Sequence, residues 1–300
     1  MIQHNLGSAL HERGTRTEGP EALRLLGEAV VAYRQALLVR TRERVPQQWA
    51  VTQNNLANAL QAQATRTAGA AALHLLDEAV TAYRQSLLVF TRDRLPKLWA
   101  MTKHNLGSAL QEQGARAQGS EAERLLGEAV AAYLEALQVW TREQRPQQWA
   151  MAQNNLARAY LNLKDWTKAA ECYQQVLELY FTSSSFDECQ RWISAVLSDA
   201  RVDERVKIPV RVIEVANLIA LKRSAEVQSK VQSLITALQS QPADFKVEWS
   251  FEAIKKFTRQ NPELAANNAW LELLFAAIEG KSRDEILQKL APLTHVPRKN

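Results

Sequence analysis

The stretch PQQWAVTQNNLANAL at residues 46–60 returns as PKLWAMTKHNLGSAL at 96–110 and as PQQWAMAQNNLARAY at 146–160. The interval is 50 residues both times, and a partial copy, QHNLGSAL, begins at Gln3. A fixed period of this length means one small structural unit per copy. Such a unit cannot bury its own apolar face, so neighbouring copies must stack. Stacked units build extended surfaces more readily than enclosed catalytic sites.

The second copy shows what each unit is made of. Pro46 suits the first turn of a helix, where a missing N–H costs nothing. From Gln47 to about Gln63 there is no Gly or Pro, which predicts a helix, A. At 100° per residue, Trp49, Thr52, Leu56, Ala59 and Leu60 share one face, predicted to be buried. Residues 65–69, TRTAG, read as a loop, followed by a second helix, B, over about 70–94. Helix B carries a large stripe (Leu73, Leu76, Val80, Tyr83, Leu87, Phe90) and a small one (Ala72, Leu75, Ala79, Ala82, Ser86, Val89). Two buried stripes imply two neighbours, the large one facing helix A and the small one facing the next copy. The third copy keeps both stripes, and Ser120 with Glu123 has the spacing of a capping box. The first copy lacks the Pro-x-x-Trp start, which predicts an unfinished face at that end. The fourth is compact: Leu156 to Tyr160, a turn LKDW, then Ala169, Ala170, Tyr173, Val176 and Leu177.

That fourth unit resembles the tetratricopeptide repeat through Asn155, Leu156, Ala157, Tyr160, Ala169, Tyr173 and Val176. The 50-residue copies match at Asn55, Leu56, Ala57, Leu60, Ala79, Tyr83, Ser86 and Pro96, and depart by a longer A–B connection and a longer helix B. Their repeated motif is similar to extended repeats of bacterial proteins that also carry caspase-like (CHAT) peptidase or STAND-type NTPase modules. No such module is visible in this sequence. The resemblance implies an all-α, right-handed superhelical solenoid over residues 1–181, in units of about 1–45, 46–95, 96–145 and 146–181. It also implies a groove lined by the A helices that holds peptides or partner proteins.

Beyond Phe181 the repeat signal stops. Residues 182–300 read as a helical C-terminal domain that caps the stack or offers a second docking surface. Ser185 with Glu188, and Ser282 with Glu285, fit capping boxes, and Asn261-Pro262-Glu263 reads as the opening of a helix. VKIPV at Val206 and DFKVEWSF at Asp244 alternate with period 2 and fit short strands or extended loops; an all-helical domain is the favoured reading. No apolar run approaches the ~18 residues of a membrane span, and MIQHNLGSAL lacks the pattern of a secretory signal. Cys172 and Cys189 show no metal or redox spacing and suit buried thiols of a cytoplasmic protein. Lys and Arg outnumber Asp and Glu by 37 to 32, spread over both halves. That balance suits an acidic partner better than nucleic acid, which needs a concentrated basic face.

Candidate binding residues lie on helix A opposite Leu56 and on its flank. In the first copy they are Asn5 and Ser8, flanked by Met1, His4 and His11; in the second Val51, Asn54, Asn55, Asn58 and Gln61. The third offers Met101, His104, Asn105, Ser108 and Gln111, and the fourth Met151, Asn154, Asn155 and Arg158. A carboxamide both donates and accepts, so the ladder Asn5, Asn55, Asn105, Asn155 suits main-chain recognition. The competing reading is that these side chains bond within or between helices. Arg16, Arg66, Arg116 and Arg42, Arg92, Arg142 form two further ladders, fit for phosphate or acidic peptide, or for local pairing. Trp49, Trp99 and Trp149 read as core rather than stacking platforms. The histidines are too far apart for a metal site, and Gly280-Lys281-Ser282 lacks the rest of a P-loop. The reading is a non-enzymatic protein-binding scaffold or sensor, with no cofactor, metal or small molecule expected. Two alternatives stand beside it: a regulatory subunit of a bacterial defence or signalling effector, and a nucleic-acid binder using the arginines.

Overall fold

The computed structural model describes residues 2–294, so Met1 lies outside the described residues. Contacts divide the chain into two compact units that meet at Leu163/Lys164.

In the first unit, the 50-residue copies fold as helical hairpins: α1 (Ile2–Arg16) with α2 (Gly19–Val39), α3 (Pro46–Ala64) with α4 (Gly69–Leu87), and α5 (Pro96–Arg116) with α6 (Gly119–Leu137), then α7 (Pro146–Asn162). Each B helix also packs on the next A helix, and each A helix touches the A helix of the next copy, which is solenoid stacking. Pro46, Pro96 and Pro146 stand in the first turn of their helices, where φ is pre-set and no N–H is needed. The predicted stripe is buried: Trp49, Thr52, Leu56, Ala59 and Leu60 are all in the core.

Tyr33, Tyr83 and Tyr133 are fully buried where B meets A. The facing positions are small, Gly7, Ala57 and Gly107. A Cβ built on Gly107 would lie 2.9 Å from the Tyr133 ring. Gly19, Gly69 and Gly119 open the B helices with φ of 69°, 64° and 60°, a left-handed conformation that only glycine adopts without strain.

Helix B is shorter than its sequence pattern predicts. It ends at Leu87 and Leu137 rather than about residue 94. Half of the extra length of the second copy lies in the B–A connection, residues 88–95, against 183–185 after the fourth copy. In that connection Leu95 N–H donates to Thr91 O at 2.9 Å and Trp99 N–H to Leu95 O at 2.9 Å, so a closed turn runs straight into the next helix. Phe90 and Trp140 are buried there beside Trp49 and Ala50, and beside Ala100 and Ala152. These aromatics prolong the helical pattern in the sequence although the helix has ended. Ser120 lies inside α6, whose N-cap is Gln118, so no capping box forms there.

The second unit contains α8 (Trp166–Thr182), α9 (Phe186–Ser198), α10 (Glu204–Ala220), α11 (Ser224–Gln239), α12 (Glu252–Gln260), α13 (Asn268–Ile278) and α14 (Arg283–Leu290). The sequence places the domain boundary after Phe181, whereas the contacts group α8 with the C-terminal helices, because it packs on α9, α10 and α12. At the centre is α10, buried at twelve positions from Val206 to Ile219. A helix covered on all sides loses its 3.6-residue pattern, which is why VKIPV alternates like a strand. Its Glu214 pairs with Lys230 at 2.8 Å, and Asn217 donates to Phe186 O at 3.0 Å. DFKVEWSF is extended but makes a single bridge, Lys246 to Ser282. Asn261 to Leu264 form a turn rather than the start of α13. Ser282 does open α14, its N–H donating to the Glu285 carboxylate at 2.9 Å, whereas Ser185 stands at the start of α9 without a side-chain cap bond.

Ser86 Oγ is buried with no hydrogen-bond partner, and its counterparts are Ala36 and Ala136. Removing an unsatisfied hydroxyl should stabilise the protein, so Ser86→Ala is expected to raise the unfolding free energy by about 1 kcal/mol. Urea denaturation of the two proteins, with unchanged m-value, measures it.

Candidate functional site

The polar residues of the A helices form two kinds of structure. The first is a hydrogen-bonded seam between consecutive A helices. His4 Nδ1 meets Thr52 Oγ1 at 3.1 Å, and one step on Thr102 Oγ1 donates to Asn54 Oδ1 at 3.1 Å. At the third step the threonine is replaced by Ala152, and His104 Nε2 bonds the Asn155 amide at 3.0 Å instead. A second row runs beside the first: Asn105 Nδ2 donates to Asn58 Oδ1 at 3.2 Å and Gln61 Nε2 to Ser108 Oγ at 3.0 Å. The tyrosines close it from below. Tyr83 OH donates to Asn58 at 2.7 Å, Tyr133 OH to Gln111 at 2.8 Å, and Tyr33 OH to Ser8 at 3.2 Å.

These bonds sort the predicted residues. Asn54 is 3% exposed and His104 6%; both are bonded inside the seam and so cannot serve a groove, a correction to the sequence reading. The reason is geometric. The strip of that face carrying positions 54 and 104 is covered by the neighbouring A helix, whereas positions 101 and 151 stay exposed. Ser8, Asn58, Gln61, Asn105, Ser108, Gln111 and Asn155 are half-buried and committed to the bonds above. Val51, Asn55 and Asn154 are half-buried, and Asn5, Met101, Met151 and Arg158 are exposed. Asn5 and Asn55 keep side-chain amides with no partner among the described residues. Sequence reasoning missed the polar role of Thr52 and Thr102; two threonines inside an otherwise apolar stripe were the available signal.

The arginine ladders are largely spent on local partners. Arg16 pairs with Glu12 at 2.7 Å and Arg116 with Glu112 at 2.6 Å. Arg66 bonds Thr15 O at 3.2 Å, Arg92 bonds Gln138 at 2.7 Å, and Arg142 lies 6.0 Å from the Trp149 ring. Trp49 and Trp149 are core, as predicted, but Trp99 is only half-buried and carries Lys103 Nζ 5.8 Å from its ring. Among the described residues, no three His, Cys, Asp or Glu side chains are grouped as a metal site requires, and no helix is long and apolar enough to cross a membrane.

His104 also packs 5.3 Å from Trp140 and 5.5 Å from Tyr133. With Asn155 donating to Nε2, the ring's proton sits on Nδ1, towards Asn105. Burial lowers its pKa from 6.5, opposed by the bond to Asn105. The unfolded chain therefore takes up this proton as pH falls through about 6.5, and the folded chain only at lower pH. Stability present above that value is lost as pH drops from 6.5 towards the lower folded value. His104→Asn, the residue found at 54 and 154, should remove this part of the pH dependence. Comparing urea midpoints at pH 7.5 and 5.5 checks it: the loss on acidification should be smaller in the variant.

Residues 150–183 match the family model of the tetratricopeptide repeat. No curated protein matches the chain. Similar solved structures include the Podosopora anserina kinesin light chain nearly identical TPR-like repeats, 20% identical over 79% of this chain and 93% of that one, TM-score 0.37. Another is BtubC (BKLC) from P. vanneervenii, 17% identical over 83% of this chain and 96% of that one, TM-score 0.41. The match identifies residues 150–183 as a tetratricopeptide repeat, and the hairpins that precede it stack as a tetratricopeptide-like solenoid.

Proposed function

We propose that the chain is a scaffold or sensor that holds a partner protein or peptide on the open face of its A helices. The supporting observation is a line of unspent groups at equivalent positions of successive helices. Met101 and Met151 are 37% and 42% exposed, in register with Val51. Beside them, Asn55 has a free amide, and Arg158 stands exposed where the earlier copies have Asn58 and Ser108. Methionine is a pliable contact residue, and a free carboxamide supplies main-chain recognition. The face is therefore smaller than the sequence suggested, and specificity falls to Val51, Asn55, Met101, Met151 and Arg158. Arg158 and the net charge of +5 favour an acidic partner.

The reading is non-catalytic and cytoplasmic. Cys172 and Cys189 are buried free thiols, each pushed up to about 12 by burial, which suits packing rather than nucleophilic attack. A regulatory subunit of a bacterial effector would use this same face. Nucleic-acid binding loses support, with Arg16, Arg66, Arg92 and Arg116 bonded locally.

A photo-crosslinking residue placed at Met101 or Met151 should capture a partner polypeptide in native lysate, and the Met101→Glu, Met151→Glu double variant should lose at least tenfold in affinity for it. Equal capture by the same probe at Gln85, exposed on helix B, would overturn the assignment.

A further inference from the structure

The second unit contains a cleft of about 780 Å³ with aromatic walls, Trp166 on one side and Phe245 and Trp249 on the other. The segment that supplies the second wall, Phe245 to Trp249, is extended. Phe245, Val247 and Trp249 are buried, whereas Lys246 and Glu248 are exposed, so odd residues point inward and even residues outward.

One edge of this segment is paired. Arg283 N–H donates to Phe245 O at 2.9 Å and Gly280 N–H to Val247 O at 3.3 Å. In extended backbone, successive residues aim their N–H and C=O to opposite edges. The other edge therefore carries the main-chain groups of Lys246 and Glu248, and these have no partner among the described residues. That edge faces α8, because Ser250 O, next in the even series, accepts from Gln174 Nε2 at 2.9 Å. Gln174 and Glu171 of α8 line the cleft, and so do Lys246 and Glu248, whereas residues 280–283 do not.

The charge of the cleft is one-sided. Asp203 is taken up by Arg205 at 2.8 Å. Glu171, Asp244 and Glu248 have no cationic partner among the described residues and face a single free cation, Lys246.

We propose that this edge takes up an extended, lysine- or arginine-bearing segment of a partner protein as an added strand. Unpaired edge groups are a template for strand addition, main-chain bonds providing affinity and side-chain pockets selectivity. Lys246 and Glu248 provide two donors and two acceptors, the Gln174 amide ends the ladder, and the carboxylates receive the partner's cations. The site lies in the second unit and is independent of the A-helix face.

The test uses the full chain and a fluorescein-labelled heptapeptide alternating lysine and valine. The peptide should bind, and N-methylation of the alternate nitrogens that face the edge should abolish binding, whereas methylation of the other nitrogens should not. Replacing its lysines by glutamate should abolish binding, and Glu171→Lys with Glu248→Lys should weaken it at least tenfold. Lys246→Pro removes one edge N–H but keeps the carbonyls that Arg283 and Gly280 use, so it should bind at least tenfold more weakly than Lys246→Ala. Failure of the parent peptide to bind overturns the proposal. So does equal binding by the two N-methylated series, by the glutamate peptide, or by the two Lys246 variants. The methylated peptides decide the matter even where the proline variant fails to fold.

Discussion

Each hairpin of the first unit depends on a buried tyrosine lying against a near-absent side chain. The Tyr133 ring sits where any Cβ on Gly107 would press on it, so helices A and B approach as closely as an aromatic ring allows. Close packing of this kind leaves little room for substitution. The tyrosine has a second task. Its ring belongs to the A–B interface, but its hydroxyl reaches the polar row between successive A helices, at Gln111, as Tyr83 reaches Asn58 and Gln61. Packing within a repeat and hydrogen bonding between repeats are thus tied to one side chain. The hydroxyls are satisfied where they are buried, as they must be.

Most of the architecture was legible because burial in a solenoid follows helix period. The stripe from Trp49 to Leu60, the prolines at helix starts and the paired stripes of helix B all reported true neighbours. What escaped has physical causes. Phe90 and Trp140 continue the apolar pattern of helix B into a turn, and periodicity registers burial, not backbone form. α10 loses its period because every side is covered. The polar face of helix A was the most ambiguous. A polar residue there is equally consistent with a ligand groove and with a neighbouring helix. Only the position of the next repeat assigns Asn54 and His104 to the seam and leaves Met101, Met151 and Asn55 outside it.

The two units illustrate different uses of unsatisfied groups. In the first, the polar side chains of the seam have found partners in the adjacent copy, and Asn5, Asn55 and the exposed methionines remain outside it. In the second, the orphan groups are main-chain ones, on a segment too short to form a sheet with anything the described residues provide. Side-chain amides adapt to many ligands, whereas an extended backbone edge accepts one conformation. The two proposed surfaces would let one chain meet partners in different ways.

The seam has a consequence for how the copies are ordered. Its steps are not identical: histidine meets threonine, then asparagine meets threonine, then histidine meets asparagine across an alanine. A chain with the third copy excised would bring Asn54 opposite Ala152, with no hydroxyl to donate to it. Near-identical in outline, the copies therefore behave as numbered rather than interchangeable parts, and the sequence of the array is written in the few polar atoms at its joints.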